Sequence, residues 1–226
     1  GKLLKIQNKL ILKMNFISEK LNDYIKKYSN KESDLLKELS RETKLKTLNS
    51  RMLSGSYQGR ILSMISKLTK PKYILEIGTY TGYSSLCLAE GMKNDGELHT
   101  IDKNEELYDF QKKYFNKSGY GDKIFQHLGN ALELIQTINK KFDLIFLDAD
   151  KENYAKYLEL LVNKLNTNGV LVTDNVLWSG KVTMPISDED LSTQEINKFN
   201  KLLNQRTDME TIILPIRDGI SISRKK

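Results

Sequence analysis

A single cysteine, Cys87, stands in 226 residues. No intrachain disulfide can form, which fits a reducing compartment. Cys87 itself reads as a small packed residue on a helix. No apolar run approaches the roughly 20 residues of a membrane span. The N-terminal stretch has neither the uninterrupted apolar segment nor the small-residue cleavage site of a secretory signal. A cytoplasmic protein is therefore expected. Only two histidines occur, His99 and His127. Both fall in predicted strands and read as packed or edge residues. Zinc-ligand spacing, aromatic-rich basic stripes, internal repeats and low-complexity segments are all missing.

What is present suits one α/β domain with an N-terminal extension. Hydrophobic residues make up 39%, enough for a core despite 29% charged. The net charge of +7 favours anionic partners, RNA or small anionic substrates. Lysines scattered over solvated helix faces account for most of it. Residues 1–51 read as a helical cap or dimer region, and residues 52–226 as the main domain. Within the extension, residues 1–13 are basic and amphipathic, with Met14 as a candidate native start. Helices are expected over Phe16 to Tyr28 and Ser33 to Leu48, the second capped by Ser33. Met52 to Tyr57 reads as a loop, and Gly59 to Leu68 as a helix stopped by Pro71.

From Tyr73 strands and helices alternate. Strands are expected at Tyr73 to Ile77, Leu98 to Ile101, Ile124 to Leu128, Leu144 to Leu147 and Gly169 to Thr173. Helices fall between them, and a long loop with Trp178, Gly180 and Pro185 precedes a helix from Ser192 to Leu203. Strands at Met209 to Leu214 and Ile220 to Ser223 close the chain around a hairpin-like turn. Repeated βα units imply a Rossmann-like, doubly wound seven-stranded sheet, mostly parallel, with the antiparallel hairpin at its edge.

The chemistry gathers where the strands end. In an open α/β sheet, ligands lie beyond the carboxyl ends of the strands. The apolar run Leu144 to Leu147 stops abruptly at Asp148, Asp150 and Lys151. A solvated turn, with Asp150 near a helix N-cap, is the plainer explanation. Glu76 to Ser84 holds a second feature, a turn with Gly78 and Gly82 that allows close backbone approach. Its spacing is neither G-x-G-x-x-G, because position 80 is Tyr, nor a phosphate-cradling P-loop. Glu76 would repel a pyrophosphate and suits an amino group or a sulfonium. Asp102 closes the second strand, where a carboxylate can accept from ribose hydroxyls. Loop and acids together point to S-adenosylmethionine. Asp148, Asp174 and Asn175 offer hard oxygen donors on neighbouring strands, which favour Mg²⁺, with Mn²⁺ or Ca²⁺ as alternatives, over zinc. Alone, Asp174 and Asn175 could form a capped turn, and Trp178 could be a core aromatic.

The chain resembles the cation-dependent class I O-methyltransferases, the group of catechol and caffeoyl-CoA O-methyltransferases. The matching segments are Met52 to Gly55, Ile74 to Ser84, Thr100 to Asp102, Asp122 to Ile124, Gly129 to Ala131, Phe142 to Tyr154, Asp174 to Val182 and Pro215 to Gly219. They agree in order and spacing from Met52 to the C-terminus. The resemblance implies that Glu76, Gly78, Thr79 and Ser84 hold the methionine and ribose parts of the cofactor. Asp102 would bind ribose, Ala131 would lie by the adenine, Asp150 would meet the amino-acid end, and Met52 and Ser54 would close over it. It assigns the divalent cation to Asp148, Asp174 and Asn175, and the proton-accepting role to Lys151. Burial and the cation would both lower the lysine's pKa from about 10.4. Trp178 and Ser179 would meet the acceptor; Ser179 replaces the Asn of the plant enzymes, and Asn130 replaces the Asp or Pro of relatives.

The implied reaction moves a methyl group to a hydroxyl of a catechol-like or hydroxycinnamoyl phenol. Some bacterial proteins similar to this family instead methylate hydroxyuridine in transfer RNA, and the basic charge permits that. A non-catalytic cofactor-binding scaffold is the third alternative. The resemblance also implies a homodimer built through the N-terminal helices.

Overall fold

The computed structural model describes residues 17–47 and 52–226. The basic segment 1–13, the candidate start Met14 and the expected helix ends at Phe16 and Leu48 lie outside the described residues. Helix α1 spans Glu19–Tyr28 and α2 spans Asp34–Lys46. Each begins on a serine whose hydroxyl accepts a backbone N–H: Ser18 from Leu21 and Ser33 from Leu36, both at 3.3 Å. These bonds satisfy donors that a helix start leaves without partners. The two helices differ in what they bury. α1 has no buried residue and exposes Leu21, Tyr24 and Tyr28. α2 buries Leu36, Leu39 and Thr43, spaced along one helical face. Glu42 of α2 then accepts from Lys113 and from the Tyr114 hydroxyl.

Helix α3 runs Gly55–Thr69, so the expected loop over Met52 to Tyr57 is shorter than composition suggests. Ser54, Gly55 and Ser56 read locally as a turn. Packing extends the helix back through them, because Gln58, Gly59, Leu62, Ser63 and Ser66 form its buried face. The helix ends at Lys70, with φ of 48°, immediately before Pro71.

The remaining elements are β1 Tyr73–Ile77, α4 Tyr83–Ala89, β2 Glu97–Asp102, α5 Tyr108–Lys117, β3 Ile124–Leu128, α6 Ala131–Thr137, β4 Phe142–Leu147, α7 Tyr154–Lys164, β5 Leu165–Asp174, α8 Leu191–Gln205, β6 Met209–Leu214 and β7 Ile220–Lys225. They form one seven-stranded sheet in the order β3-β2-β1-β4-β5-β7-β6. β1 to β5 are parallel, and β7 is antiparallel to both β5 and β6. The hairpin therefore sits at the edge as expected. Within it, the reversed strand is β7, one place in, and the outermost strand β6 runs with the others.

Side chains alternate between two cores. Leu75, Ile77, Ile145 and Leu147 join α7 and α8 residues such as Tyr157, Leu161 and Phe199 on one face. Ile74, Leu144 and Phe146 join Leu36, Leu62, Tyr83 and Phe115 on the other. Burial on both faces explains why β4 reads as a continuous apolar run. Strand order reverses direction between β1 and β4, which opens a crevice at their carboxyl ends. His99 and His127 are packed together on β2 and β3, with Nδ1 and Nε2 2.9 Å apart. Cys87 is buried, and burial pushes its thiol up to about 12.

Candidate active site

The crevice is a cavity of about 900 Å³. Its floor is set by how closely β1 and β4 approach. Gly78 has φ of +98°, and a Cβ there would stand 2.0 Å from the Asp148 carbonyl oxygen. Glycine is required at this point for the neighbouring backbone, before any ligand is considered. The parallel ladder continues one step further through Gly78 N–H to Ile101 O and Asp148 N–H to Ile77 O, both 2.9 Å.

On one side of the cavity lies Asp102. Its carboxylate accepts from the backbone N–H of Tyr80 at 2.7 Å and of Asn104 at 2.9 Å. These bonds aim the group while leaving lone pairs for a ligand hydroxyl. Ala131 lines the same side, on the turn capped by Asn130, whose Oδ1 accepts from Leu132 N–H at 3.1 Å.

Glu76 lies one residue before the wall begins at Ile77. It is fully buried, and Oε2 accepts from the hydroxyls of Ser85 and Thr100. Oε1 has no partner among the described residues. Burial pushes its carboxyl up to about 7, against the pull of its hydroxyl donors. A buried carboxylate with an orphaned oxygen fits a cationic or hydrogen-donating ligand. Thr79 and Ser84 are buried beside it, and Thr79 Oγ1 lies 2.5 Å from Thr100 Oγ1.

The opposite side carries the acids. Leu147 pairs with Thr173 across β4 and β5, so Asp148 and Asp174 end adjacent strands at the same level. Lys151 Nζ donates to Asp148 Oδ1 and to the Tyr154 hydroxyl, each at 2.8 Å. Tyr154 donates in turn to the Asp174 carbonyl at 2.9 Å. Burial, with the charges of Asp148 and Asp174, holds the Tyr154 phenol well above its ordinary range, so it stays a donor. Asp174 is 5% exposed. Its Oδ1 accepts from Asn175 N–H at 2.7 Å and its Oδ2 from Gln58 Nε2 at 2.6 Å. Burial first, then the charge of Asp148, raises its carboxyl. Asn175 has φ of 62° and gives its side-chain amide N–H to Asp218 at 3.3 Å, so its Oδ1 remains available as an acceptor. Two carboxylates face one ammonium, so the group keeps a negative balance. The donors are oxygens throughout, a set that fits a hard divalent cation. Among the described residues no three His, Cys, Asp or Glu side chains converge as a ligand group; the set is two carboxylates and an amide.

Of the residues singled out from sequence, Met52, Gly78, Asp102, Ala131, Asp148, Asp150, Lys151, Asp174, Asn175 and Trp178 line this one cavity. Asp150 stands where a helix cap would. Its carboxylate caps nothing and accepts from the Tyr157 hydroxyl at 2.8 Å. Trp178 is half-buried against the α7–α8 core, and its Nε1 is buried without a partner among the described residues. Five do not line the cavity: Glu76, Thr79 and Ser84 are buried, as described above, and Ser54 and Ser179 are placed elsewhere. Ser54 is buried at the start of α3 and makes no cap bond. Ser179 is exposed and is held by Asp218 through its N–H and its hydroxyl. Gln58, Tyr154, Arg217 and Asp218 were not singled out as site residues. A cluster of left-handed residues in the wall, Asn175, Trp178 and Arg217, is the strained backbone expected where function overrides local preference.

A glycine turn after β1, an acid closing β2 and a polar cluster beyond β4 and β5 define a class I α/β methyltransferase layout. Comparison with known proteins agrees. A family model described as O-methyltransferase matches residues 26–226. A caffeoyl-CoA O-methyltransferase of Medicago sativa is 35% identical over 222 residues, covering 92% of this chain and 89% of the relative. An S-adenosylhomocysteine-bound methyltransferase of Podospora anserina superimposes with a TM-score of 0.83 at 29% identity, covering 92% of this chain and 94% of that one. An O-methyltransferase of Streptomyces achromogenes involved in tomaymycin synthesis, crystallised with S-adenosylmethionine, gives 0.84 at 26% identity, covering 93% and 100%. The chain belongs to the O-methyltransferase family, and is an S-adenosylmethionine-dependent O-methyltransferase.

Proposed function

We propose that this enzyme is a divalent-cation-dependent O-methyltransferase acting on a catechol-like or hydroxycinnamoyl phenol. One observation carries the reading. Asp148, Lys151, Asp174 and Asn175 meet in the same cavity as Asp102 and the glycine turn. Cation, cofactor and acceptor would then be held side by side.

Asp148, Asp174 and Asn175 would hold the cation, Mg²⁺ in the first instance, and Asp102, Glu76 and Asp150 the cofactor. A bound cation would supply charge stabilisation to the acceptor oxygens. Lys151 is 12% exposed in its side chain and is aimed by Asp148 and Tyr154. In its neutral amine form it would take the acceptor hydroxyl's proton and become the ammonium. Asp218 and the left-handed turn at Trp178 would set the acceptor wall. Holding two substrates in line contributes on the order of 7–11 kcal/mol, and the sheet ends supply that rigidity.

The first test is methyl transfer from S-adenosylmethionine to a panel of catechols and hydroxycinnamates, with Mg²⁺ and then with chelator. Activity that vanishes with chelator and returns with metal is expected. Activity indifferent to chelator would remove the cation from the reading. Failure on every phenol, with cofactor binding confirmed, would move the acceptor to hydroxyuridine in transfer RNA, which the net charge of +7 permits; salt-sensitive RNA binding would accompany it. A homodimer is part of the same reading, with the exposed Leu21, Tyr24 and Tyr28 of α1 as the face a second copy would cover. Light scattering at the monomer mass of 26.1 kDa would count against it.

A further inference from the structure

Gln58 lies in the first turns of α3, 116 residues before Asp174 in sequence. It is completely buried. A buried amide must satisfy both ends, and this one does so in an unusual place. Nε2 donates to Asp174 Oδ2 at 2.6 Å. Oε1 accepts from Arg217 Nη1 at 3.0 Å. The same Nη1 donates to the Leu53 carbonyl at 3.2 Å.

The orientation of the amide follows from its partners. A guanidinium has donors only, so the face toward Arg217 must be the carbonyl. The NH₂ must then face Asp174. With Asn175 N–H on Oδ1 and Gln58 on Oδ2, both carboxylate oxygens are gripped and the plane of the group is set. No other side chain of this length does the same. Glutamate would place a third carboxylate beside Asp174 and Asp148. Lysine would put a competing cation into the site. Leucine would leave Oδ2 with nothing.

We propose that Gln58 is the positioning residue that presents Asp174 to the cation, and that Arg217 locks the Gln58 amide with its donor inward. The inference rests on the cation site proposed above. It adds two residues 159 positions apart in sequence, and links the Leu53 backbone, next to Met52 in the cavity lining, to a proposed metal ligand.

The test is Mn²⁺ binding, read from the free-ion paramagnetic resonance signal, in the full chain and in Gln58→Leu, Arg217→Met and the double variant. Wild type should bind Mn²⁺. Gln58→Leu should weaken binding about 10-fold or more, as loss of a residue orienting a metal ligand does. Arg217→Met should weaken it less. The double variant should be no weaker than Gln58→Leu, because Arg217 acts through Gln58. A packing role alone would lower the unfolding midpoint and leave Mn²⁺ affinity untouched; that result overturns the inference. Independent, additive losses overturn the part given to Arg217. Failure of wild type to bind Mn²⁺ overturns the cation site itself, and this inference with it. Calorimetric cofactor binding checks each variant's fold. Should Gln58→Leu fail that check, Arg217→Met carries the test, and unchanged affinity in it counts against the proposal.

Discussion

Glu76 and Glu90 carry the same side chain in two different surroundings. Glu76, at the end of β1, receives only hydroxyl donors and keeps one oxygen unpartnered, and burial pushes it up to about 7. At Glu90, just after α4, burial pulls the same way but is outweighed. Arg60 grips both oxygens at 2.8 and 2.7 Å, Ser63 and Lys67 add to Oε2, and the carboxyl falls to about 2. Neutral hydroxyls do not offset the desolvation of a carboxylate; cationic partners do. Glu90 is complete within the chain and serves stability. Glu76 is left short of positive charge beside a cavity, where a ligand can bring it.

The comparison can be tested by substitution, starting from the site. Lys151→Ala should lower turnover about 10²–10⁴-fold, the usual contribution of a proton-transfer residue, with cofactor binding retained. Undiminished turnover would take Lys151 out of the mechanism. Glu76→Gln should weaken S-adenosylmethionine binding by about 10-fold or more, the worth of a charged hydrogen bond. The ligand-free protein should become no less stable in urea. Equal cofactor affinity would erase the contrast between the two glutamates. Glu90→Gln should do the reverse. It should cost about 1–3 kcal/mol, less than the 3–5 of a fully buried pair, because the side chain is 21% exposed. Turnover per folded molecule should not change.

The pH dependence of ligand-free stability separates the two as well. Glu90 titrates lower in the folded chain than in the unfolded one, so its stabilisation is present above about 4.5 and is lost as pH falls toward 2. Glu76 titrates higher when folded, so stability falls as pH rises from about 4.5 to 7. Urea midpoints across pH should lose the lower limb in Glu90→Gln and the upper limb in Glu76→Gln. The smallest effect belongs to a site with no part in either network. Ser33→Ala removes the α2 cap and should cost about 1 kcal/mol.

How much could be read from the chain depended on distance along it. Ser33, Asp102 and the acids after β4 were legible because caps, strand ends and turn residues act within a few positions. Gln58 was not, because its partner lies on β5 and nothing around Gln58 marks it as polar for a purpose. Arg217 sat inside a recognised motif, yet its role depends on α3. Ser54 and Ser179 were named by family resemblance, and neither lines the cavity: Ser54 is buried at the start of α3 and Ser179 is held by Asp218. The closing hairpin was legible as a pair, but its internal order was not. Ile212 and Ile213 of β6 stay exposed at 58% and 40%, while Ser221 and Ser223 of β7 are buried. Apolarity does not mark which of the two strands is the inner one.

Trp178 is the only tryptophan in the chain, and it lines the cavity. All indole emission therefore comes from the wall beside Asn175. Filling that space with cofactor, cation or acceptor changes the surroundings of one fluorophore, with no background from elsewhere. The enzyme can report its own occupancy optically, unlabelled, and acceptors can be ranked by titration before any of them is shown to be methylated.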